Sequence, residues 1–282
     1  MHDAVRKQRN FKMGGAALVL AWALLPGSAQ AAPAPGGAGR SLLEDWKLTG
    51  TFGYGHSNGN YGTPRETSVD LGISTLSLST GNFRFTASIP YMRIEGRGLV
   101  VFDASGSPIV INRRTALPPD TRTGWGDLNF SASYTIPPAI LDNFQLRISA
   151  ITKVPTASGR RRLSTGKSDY GVSVDVSRQL GKWSPFVTMG YLSVGQAAGY
   201  TLYDTTSMSA GSSLELSDDL VAIISYDRDS ADGPLVPDAQ SLFASLSWVR
   251  GDAVTLTAYG TAGLSKGSPD MGIGFMLSYG VE

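Results

Sequence analysis

Apolar and polar residues alternate along almost the whole chain after residue 45. In the segment YGVSVDVS, residues 170–177, a tyrosine and three valines alternate with glycine, serine and aspartate. A period of two is typical of a β-strand whose two faces meet different surroundings. The pattern predicts twelve strands, at about 46–54, 67–79, 83–91, 127–136, 144–153, 170–177, 184–192, 205–214, 220–226, 241–249, 253–261 and 271–279.

The predicted connections alternate in length. Long connections follow the odd-numbered strands, at about 55–66, 94–123, 154–168, 193–204, 227–238 and 262–270, and short ones follow the even-numbered strands. Outer-membrane barrels have an even number of strands, short periplasmic turns and longer external loops. Because unpaired backbone groups are costly in hydrocarbon, we expect the last strand to pair with the first. The predicted fold is an all-β, antiparallel transmembrane β-barrel of about 12 strands, with the valines of 170–177 facing lipid.

The N-terminus is typical of an exported protein. Four basic residues precede the apolar run 13–25, and Ala29 and Ala31 follow it at the spacing of a cleavage site. This is the order of a secretory signal peptide, and the apolar run is too short to cross a bilayer comfortably. We expect residues 1–31 to be a signal peptide, residues 32–45 a flexible leader, and residues 46–282 an outer-membrane β-barrel.

Composition narrows the classes of function. Charged residues make up 17% of the chain, against about 25% in soluble domains. The net charge of +1 gives no indication of a nucleic-acid partner, and the absence of cysteine excludes disulfides and thiolate sites. No cofactor and no metal are expected. A soluble periplasmic sandwich is the alternative fold, but it gives no reason for all long loops to lie at one end.

The polar strand faces carry charged residues that a barrel would enclose. The lumen-facing candidates are Arg84, Asp127, Arg147, Lys153 and Asp175. Opposite charges on neighbouring strands favour pairing, so these groups either hold the barrel together or form a polar constriction that selects solutes. The connection 94–123 is expected to contain a short hairpin and is a candidate for an inward-folding plug.

His56 is the one histidine outside the signal segment, and Ser57 follows it. A serine–histidine pair would suit a lipid hydrolase. Neighbouring residues on a strand point to opposite faces, however, so the favoured interpretation is an external loop rich in glycine and asparagine.

A basic cluster lies in another predicted external loop. It consists of Arg160, Arg161 and Arg162. It is a candidate for binding lipopolysaccharide phosphates or for guiding an anion to a pore, and a solvated loop is the equal alternative.

Several segments resemble a known family. Residues 124–136, GWGDLNFSASYTI, are similar to the Gly-x-Gly-Asp-Leu strand of the outer-membrane transporters named for the meta-pathway of phenol degradation. Residues 152–159 and 168–183 resemble that family's Leu-Pro-Thr-Gly loop and Asp-Tyr-Gly strand, and residues 87–93 resemble its Pro-Tyr strand end. The resemblance covers residues 46–279. It implies a barrel that passes small hydrophobic or aromatic compounds.

Taken together, these patterns predict a small-molecule channel in the outer membrane of a Gram-negative bacterium, and not an enzyme. The alternatives are a lipid-modifying hydrolase that uses His56, and a structural or adhesion barrel without transport. The expected partners are outer-membrane lipid and lipopolysaccharide, a small-molecule solute and the barrel assembly machinery.

Overall fold

The computed structural model describes residues 46–61, 66–96, 99–102, 104, 108–111, 120–137, 140–141, 144–199, 201–234, 237–251 and 253–281. The predicted signal peptide and leader lie outside these residues. Within the described ranges, no helix has both the length and the apolar character needed to cross a membrane.

Strands dominate the described residues. They are β1 (Trp46–Gly59), β2 (Thr67–Thr80), β3 (Phe83–Gly96), β4 (Leu99–Phe102), β5 (Pro108–Ile111), β6 (Asp120–Trp125), β7 (Leu128–Ile136), β8 (Phe144–Val154), β9 (Asp169–Arg178), β10 (Trp183–Ser193), β11 (Thr205–Ser217), β12 (Leu220–Asp229), β13 (Ala239–Arg250), β14 (Val254–Gly263) and β15 (Met271–Val281). A 3₁₀-helix, Gly159–Arg161, lies between β8 and β9.

The sheet closes on itself. β15 pairs with β1, from Leu48 opposite Val281 to Asn58 opposite Met271. β3 pairs with β2 along one edge; along the other edge it pairs with β6 near its end and with β7 near its start. β6 and β7 therefore act as one strand, and the result is a closed antiparallel barrel of twelve strands. The predicted fold class and the predicted pairing of the first strand with the last are confirmed.

The strand made by β6 and β7 contains a bulge. Tyr91 pairs with Trp125 and Ser88 with Asn129, so two residues of β3 face three residues of the partner strand. The Gly126 amide donates to the Pro90 carbonyl at 2.8 Å. The sequence prediction is incomplete here, because it places β6 inside the connection 94–123. An extra residue breaks the period of two, so the pattern hides this half of the strand.

The connections after β1, β3, β8, β10, β12 and β14 lie at one end of the barrel, named here the loop end. They span 60–66, 97–119, 155–168, 194–204, 230–238 and 264–270. The opposite end, named the turn end, carries 81–82, 137–143, 179–182, 218–219 and 251–253. The first loop is shorter than predicted because β1 continues to Gly59.

The outer face of the barrel is apolar. On β9 the outward Val172 is 56% exposed, whereas the inward Ser173 is 4% exposed. Large exposed apolar side chains recur around the wall, among them Phe52, Leu76, Phe85, Phe130, Ile148, Met189, Ile224, Leu246, Leu256 and Phe275. A continuous apolar surface of this kind suits acyl chains and not water. The prediction that the valines of 170–177 point outward is confirmed.

β2 departs from this rule near the loop end. Val69, Leu71 and Ile73 point inward and are 3%, 4% and 9% exposed, and the polar Asp70 lies outside. The expectation that all apolar strand faces meet lipid is wrong here. β1, β2 and β3 each have 14 residues, more than the 9–11 that a bilayer-crossing strand needs. Near the loop end the inner face packs against loop residues instead.

Candidate functional site

A buried charged cluster lies on the inner face toward the loop end. Lys153 Nζ is 2.6 Å from Asp169 Oδ2 and 3.9 Å from Asp127 Oδ2. Nζ also donates to Thr165 Oγ1 at 3.4 Å. Lys153 is 1% exposed and Asp169 is 0% exposed. A buried ammonium requires compensating charge, and here two carboxylates supply it. We call Asp127, Lys153 and Asp169 the anchor cluster.

The anchor cluster fixes two loops to the wall. Asp127 Oδ1 accepts the backbone N–H groups of Thr156 and Ala157 at 3.0 and 2.9 Å, and its other oxygen accepts the Ser164 hydroxyl. Asp169 Oδ1 accepts the Gly195 amide at 2.9 Å. The connections 155–168 and 194–204 are therefore both tied to buried carboxylates. This geometry favours a structural role for Asp127 and Lys153 over the alternative, a polar constriction that selects solutes.

Asp169 is a member of the cluster that the sequence pattern does not single out. It is the register partner of Lys153, with its side chain on the inner face of β9 together with Asp175. The alternation along β9 indicates the inward position of Asp169, because residues 169, 171, 173 and 175 share one face. The predicted strand begins at residue 170, one residue too late to include it.

The basic cluster of connection 155–168 interacts with β6. The Arg162 guanidinium is 2.6 Å from Asp120 Oδ2, and the Arg161 guanidinium donates to the Thr123 carbonyl. The inward Arg122 in turn donates to the Arg162 carbonyl at 2.7 Å. Arg160, Arg161 and Arg162 are all exposed. Two of the three predicted basic residues thus hold the loop against the barrel wall.

Apolar residues fill one side of the loop end. The first apolar cluster comprises Tyr61, Val69, Leu71, Met92, Ile94 and Leu163. Its wall residues come from β2 and β3, and two loops contribute Tyr61 and Leu163. The Tyr61 hydroxyl bonds to Ser57 Oγ at 2.9 Å, and burial raises the pKa of Tyr61 to about 12. Tyr61 adopts a φ of 47°, a region that non-glycine residues rarely occupy, which turns its ring toward the interior.

A second apolar cluster involves the longest connection. It comprises Val101, Ala104, Ile151, Leu192, Val194 and Leu202. β4 and β5 pair with each other as a two-stranded sheet, which confirms the hairpin predicted within 94–123. Val101 and Ala104 belong to this hairpin, while Ile151 and Leu192 belong to the inner wall. The hairpin therefore packs against the barrel interior, in agreement with the predicted inward-folding element.

The remaining candidates lie nearer the turn end. Arg147 is the register partner of Asp175, and Asp175 Oδ1 accepts the Thr188 hydroxyl at 2.7 Å. Arg84 donates from Nε to Ser79 Oγ at 3.1 Å. The predicted charged row is therefore two groups: Asp127 and Lys153 belong to the anchor cluster, and Arg84, Arg147 and Asp175 form a separate group, named here the arginine group.

Hydroxyl groups and aromatic rings complete the inner wall. Buried inward hydroxyl residues include Thr51, Ser77, Ser173, Thr188, Ser209, Ser225, Ser247, Thr257 and Ser278. Phe243 and Tyr259 stack on neighbouring strands, with ring centroids 6.1 Å apart and an interplanar angle of 20°. A side chain on Gly274 would collide with Tyr259, so the tyrosine ring lies across β15. The interior is therefore hydroxyl-rich, with an aromatic wall on one side.

The His56 region does not form a serine–histidine pair. His56 lies on the outer face, where its Nδ1 is 2.9 Å from Asp70 Oδ1, and Tyr54 donates to the same oxygen at 2.8 Å. The Ser57 hydroxyl is on the inner face with Tyr61. Among the described residues no group of three histidine, aspartate or glutamate side chains has the geometry of a metal site.

Comparison with solved structures identifies similar barrels. The chain is similar to the COG4313 outer membrane channel from Pseudomonas putida F1, with a TM-score of 0.66, 13% identity, and coverage of 85% of this chain and 97% of that chain. It also matches the NanC porin (TM-score 0.49, 12% identity, 83% and 99% covered) and the CymD monoaromatic hydrocarbon channel (0.43, 10%, 84% and 88%). At 13% identity the first likeness shows a shared fold.

No protein-family model matches the chain, and a search of curated proteins gives no match. The barrel implied by the resemblance to the meta-pathway transporters is confirmed as a fold. Membership of that family stays a prediction.

Proposed function

We propose that this protein is a passive channel for small molecules in the outer membrane of a Gram-negative bacterium. The observation that carries the proposal is the inversion of the barrel faces: apolar side chains point outward, and hydroxyl and charged side chains point inward. A closed sheet leaves no unpaired edge in hydrocarbon, and its polar interior can hold water. The similar solved structure is itself described as an outer membrane channel, which supports the proposal.

The solutes proposed are small and partly apolar. The two apolar clusters at the loop end support this, because the loops and the wall that a solute passes between meet through aliphatic and aromatic side chains. The resemblance to the transporters named for the meta-pathway of phenol degradation implies the same class of compound. Lipid and lipopolysaccharide around the outer wall, delivery by a signal peptide and insertion by the barrel assembly machinery belong to the same proposal.

Passage requires that the inward loops move. The hairpin of β4 and β5 contributes Val101 and Ala104 to the second apolar cluster, so it narrows the loop end. Deletion of residues 98–114 is expected to raise single-channel conductance in planar bilayers and to speed liposome swelling. Leu264→Ser is the control, because Leu264 is exposed on another loop. A wild-type protein and a deletion variant that both insert but never conduct would contradict the proposal.

The hydrolase and adhesion alternatives predict different results. A hydrolase would lose lipid turnover on His56→Ala while its conductance stayed the same. An adhesion barrel would conduct neither as the wild-type protein nor after deletion of residues 98–114. Membrane fractionation with heat-modifiable gel migration tests the barrel and its location independently of any of these activities.

A further inference from the structure

We propose that the solute class is an organic anion with an aromatic body, and that the arginine group selects for its charge. This inference rests on the proposed channel function and deepens it. Two observations carry it: Arg84 and Arg147 lie on the inner face toward the turn end, on the two strands that flank β7, and Phe243 and Tyr259 stack on the inner wall. A solute that uses both carries an apolar ring and a negative group.

The register places the two guanidinium groups together. Arg84 on β3 is opposite Ser133, and Arg147 on β8 is opposite Thr135. Ser133 and Thr135 are inner residues two apart on the intervening β7, so the two arginines flank that strand on the same face and at nearly the same depth. Adjacent guanidinium groups of this kind are stabilised by a shared anion.

The arginine group has more positive than negative charge. Asp175, the register partner of Arg147, is the carboxylate of this group, and Thr188 already occupies one of its oxygens. Arg84 has the neutral Ser79 hydroxyl as its partner, and within the described ranges no carboxylate forms an ion pair with Arg84. A half-buried guanidinium without a counter-charge is costly, and a planar carboxylate or sulfonate offsets that cost with two parallel hydrogen bonds.

Two other inward charged residues, nearer the loop end, have close partners. Lys153 is enclosed by Asp127 and Asp169. Asp227 accepts the hydroxyls of Ser209 and Ser225 at 2.6 and 3.2 Å. The arginine group itself has two positive groups and one negative group, and a solute that has passed the loop end meets it before it reaches the turn end. A charged lining of this kind raises the local concentration of ions of opposite sign.

The aromatic part of the solute follows from the rest of the interior. Phe243 and Tyr259 form a stacked pair on the inner wall, and the Tyr259 side chain is partly exposed. Offset stacking of a solute ring on this pair is favourable, and an inorganic anion gains nothing from it. The class proposed is therefore a ring that carries a carboxylate or sulfonate.

The test measures the charge preference of the channel in planar bilayers, with the protein purified from bacterial membranes. The probes are benzenesulfonate and benzyltrimethylammonium, which share a ring and have permanent opposite charges. Bi-ionic reversal potentials are expected to give a higher permeability for benzenesulfonate. The double variant Arg84→Gln, Arg147→Gln is expected to lower the anion-to-cation permeability ratio by about fivefold or more, since the focusing charge is lost.

Two controls separate charge from structure. Arg178→Gln removes an arginine on the outer face, where Arg178 lies over the Phe144 ring, and should leave the ratio unchanged. Arg84→Lys keeps the charge and should retain most of the selectivity. If the double variant fails to fold, as judged by heat-modifiable migration, the wild-type protein still provides a test: benzenesulfonate should block chloride current, and methanesulfonate should block it far less.

The outcomes distinguish this inference from the channel itself. Conductance in potassium chloride with a preference for benzyltrimethylammonium, or a ratio that the arginine variants leave unchanged, would overturn the anion class and leave the channel intact. Equal block by methanesulfonate and benzenesulfonate would overturn the aromatic part. A protein that inserts and conducts nothing would overturn the proposed function instead.

Discussion

Lys153 on β8 and Asp169 on β9 are register partners whose side chains meet on the inner face of the barrel, with 2.6 Å between Nζ and Oδ2. Their ion pair is buried, and Asp127, in the bulge between β6 and β7, lies 3.9 Å from the same ammonium. Asp127 accepts backbone N–H groups of the connection 155–168, and Asp169 accepts one of the connection 194–204, so Lys153 joins the two carboxylates that hold these loops. The stability of the loop end should therefore depend on this pair.

Lys153→Met tests that dependence. The substitution leaves two buried carboxylates without their ammonium group, and breaking a buried pair in this way costs about 3–5 kcal/mol. We expect a lower unfolding midpoint in guanidinium chloride for the detergent-solubilised barrel. Lys182→Met is the control, because Lys182 is exposed in a short turn at the other end. Equal midpoints for the two variants would contradict the role of the anchor cluster.

Asp127→Asn should release the connection 155–168. An amide oxygen is a weaker acceptor than a carboxylate for the Thr156 and Ala157 N–H groups, and the ammonium of Lys153 loses one counter-charge. Trypsin should then cut at Arg160–Arg162 several-fold faster than in the wild-type barrel. Asp219→Asn, in the turn between β11 and β12, should leave the cleavage rate unchanged.

The loop 194–204 should loosen in acid. The Tyr191 hydroxyl donates to Asp204 at 2.6 Å and the Val194 amide at 3.0 Å, and these hydrogen bonds hold the pKa of Asp204 below its ordinary value. The pKa of Asp204 is lower in the folded state than in the unfolded state. The stabilisation that Asp204 gives the folded loop is therefore fully present at pH values above the unfolded-state pKa. It is lost as the pH falls through the folded-state pKa, below about 4.

Amide hydrogen exchange at Val194 measures this release. Exchange, corrected for the intrinsic effect of pH, should accelerate as Asp204 is protonated. In Asp204→Asn the exchange should be fast already at neutral pH, with no further change in acid. A protection factor that is the same for both proteins across this range would show that another contact holds the loop.

Gly274→Ala tests the packing of the aromatic wall. An added Cβ would collide with the ring and hydroxyl of Tyr259 and with the Tyr54 carbonyl oxygen, so both must move, at a cost of about 1–3 kcal/mol. The double variant Gly274→Ala, Tyr259→Ala should be less destabilised than the sum of the two single variants, because only the clash with the ring is removed. Gly50→Ala is the matched control on another strand, since nothing lies within 4 Å of its added Cβ.

Val172→Lys and Ser173→Lys test which face meets lipid. Val172 points outward, and a lysine there costs about 2–4 kcal/mol if that face lies at the bilayer midplane. Refolding yields in liposomes should fall for Val172→Lys and recover when the same variant is refolded in a short-chain detergent. Ser173→Lys adds a charge inside the barrel, so its yield should show no such dependence on the surrounding lipid.

The sequence by itself determined the local features of this protein. A period of two separates the two sides of each strand, and the alternating loop lengths indicate a membrane barrel, whose enclosed side is the polar one. Together they assign the valines of β9 to the outer face and Arg84, Arg147 and Asp175 to the inner face. The need to pair every backbone group in hydrocarbon then required the first strand to meet the last.

Tertiary structure decided the rest, because alternation does not state which face is enclosed at a given depth. Val69, Leu71 and Ile73 follow the pattern of lipid-facing residues, yet they face inward at the loop end, where loop residues fill the mouth. The bulge at Gly126 and Asp127 concealed β6 from the pattern. The anchor cluster, the hairpin contact and the arginine group all join residues from different strands and loops, and only the register and loop packing of the closed barrel bring them together.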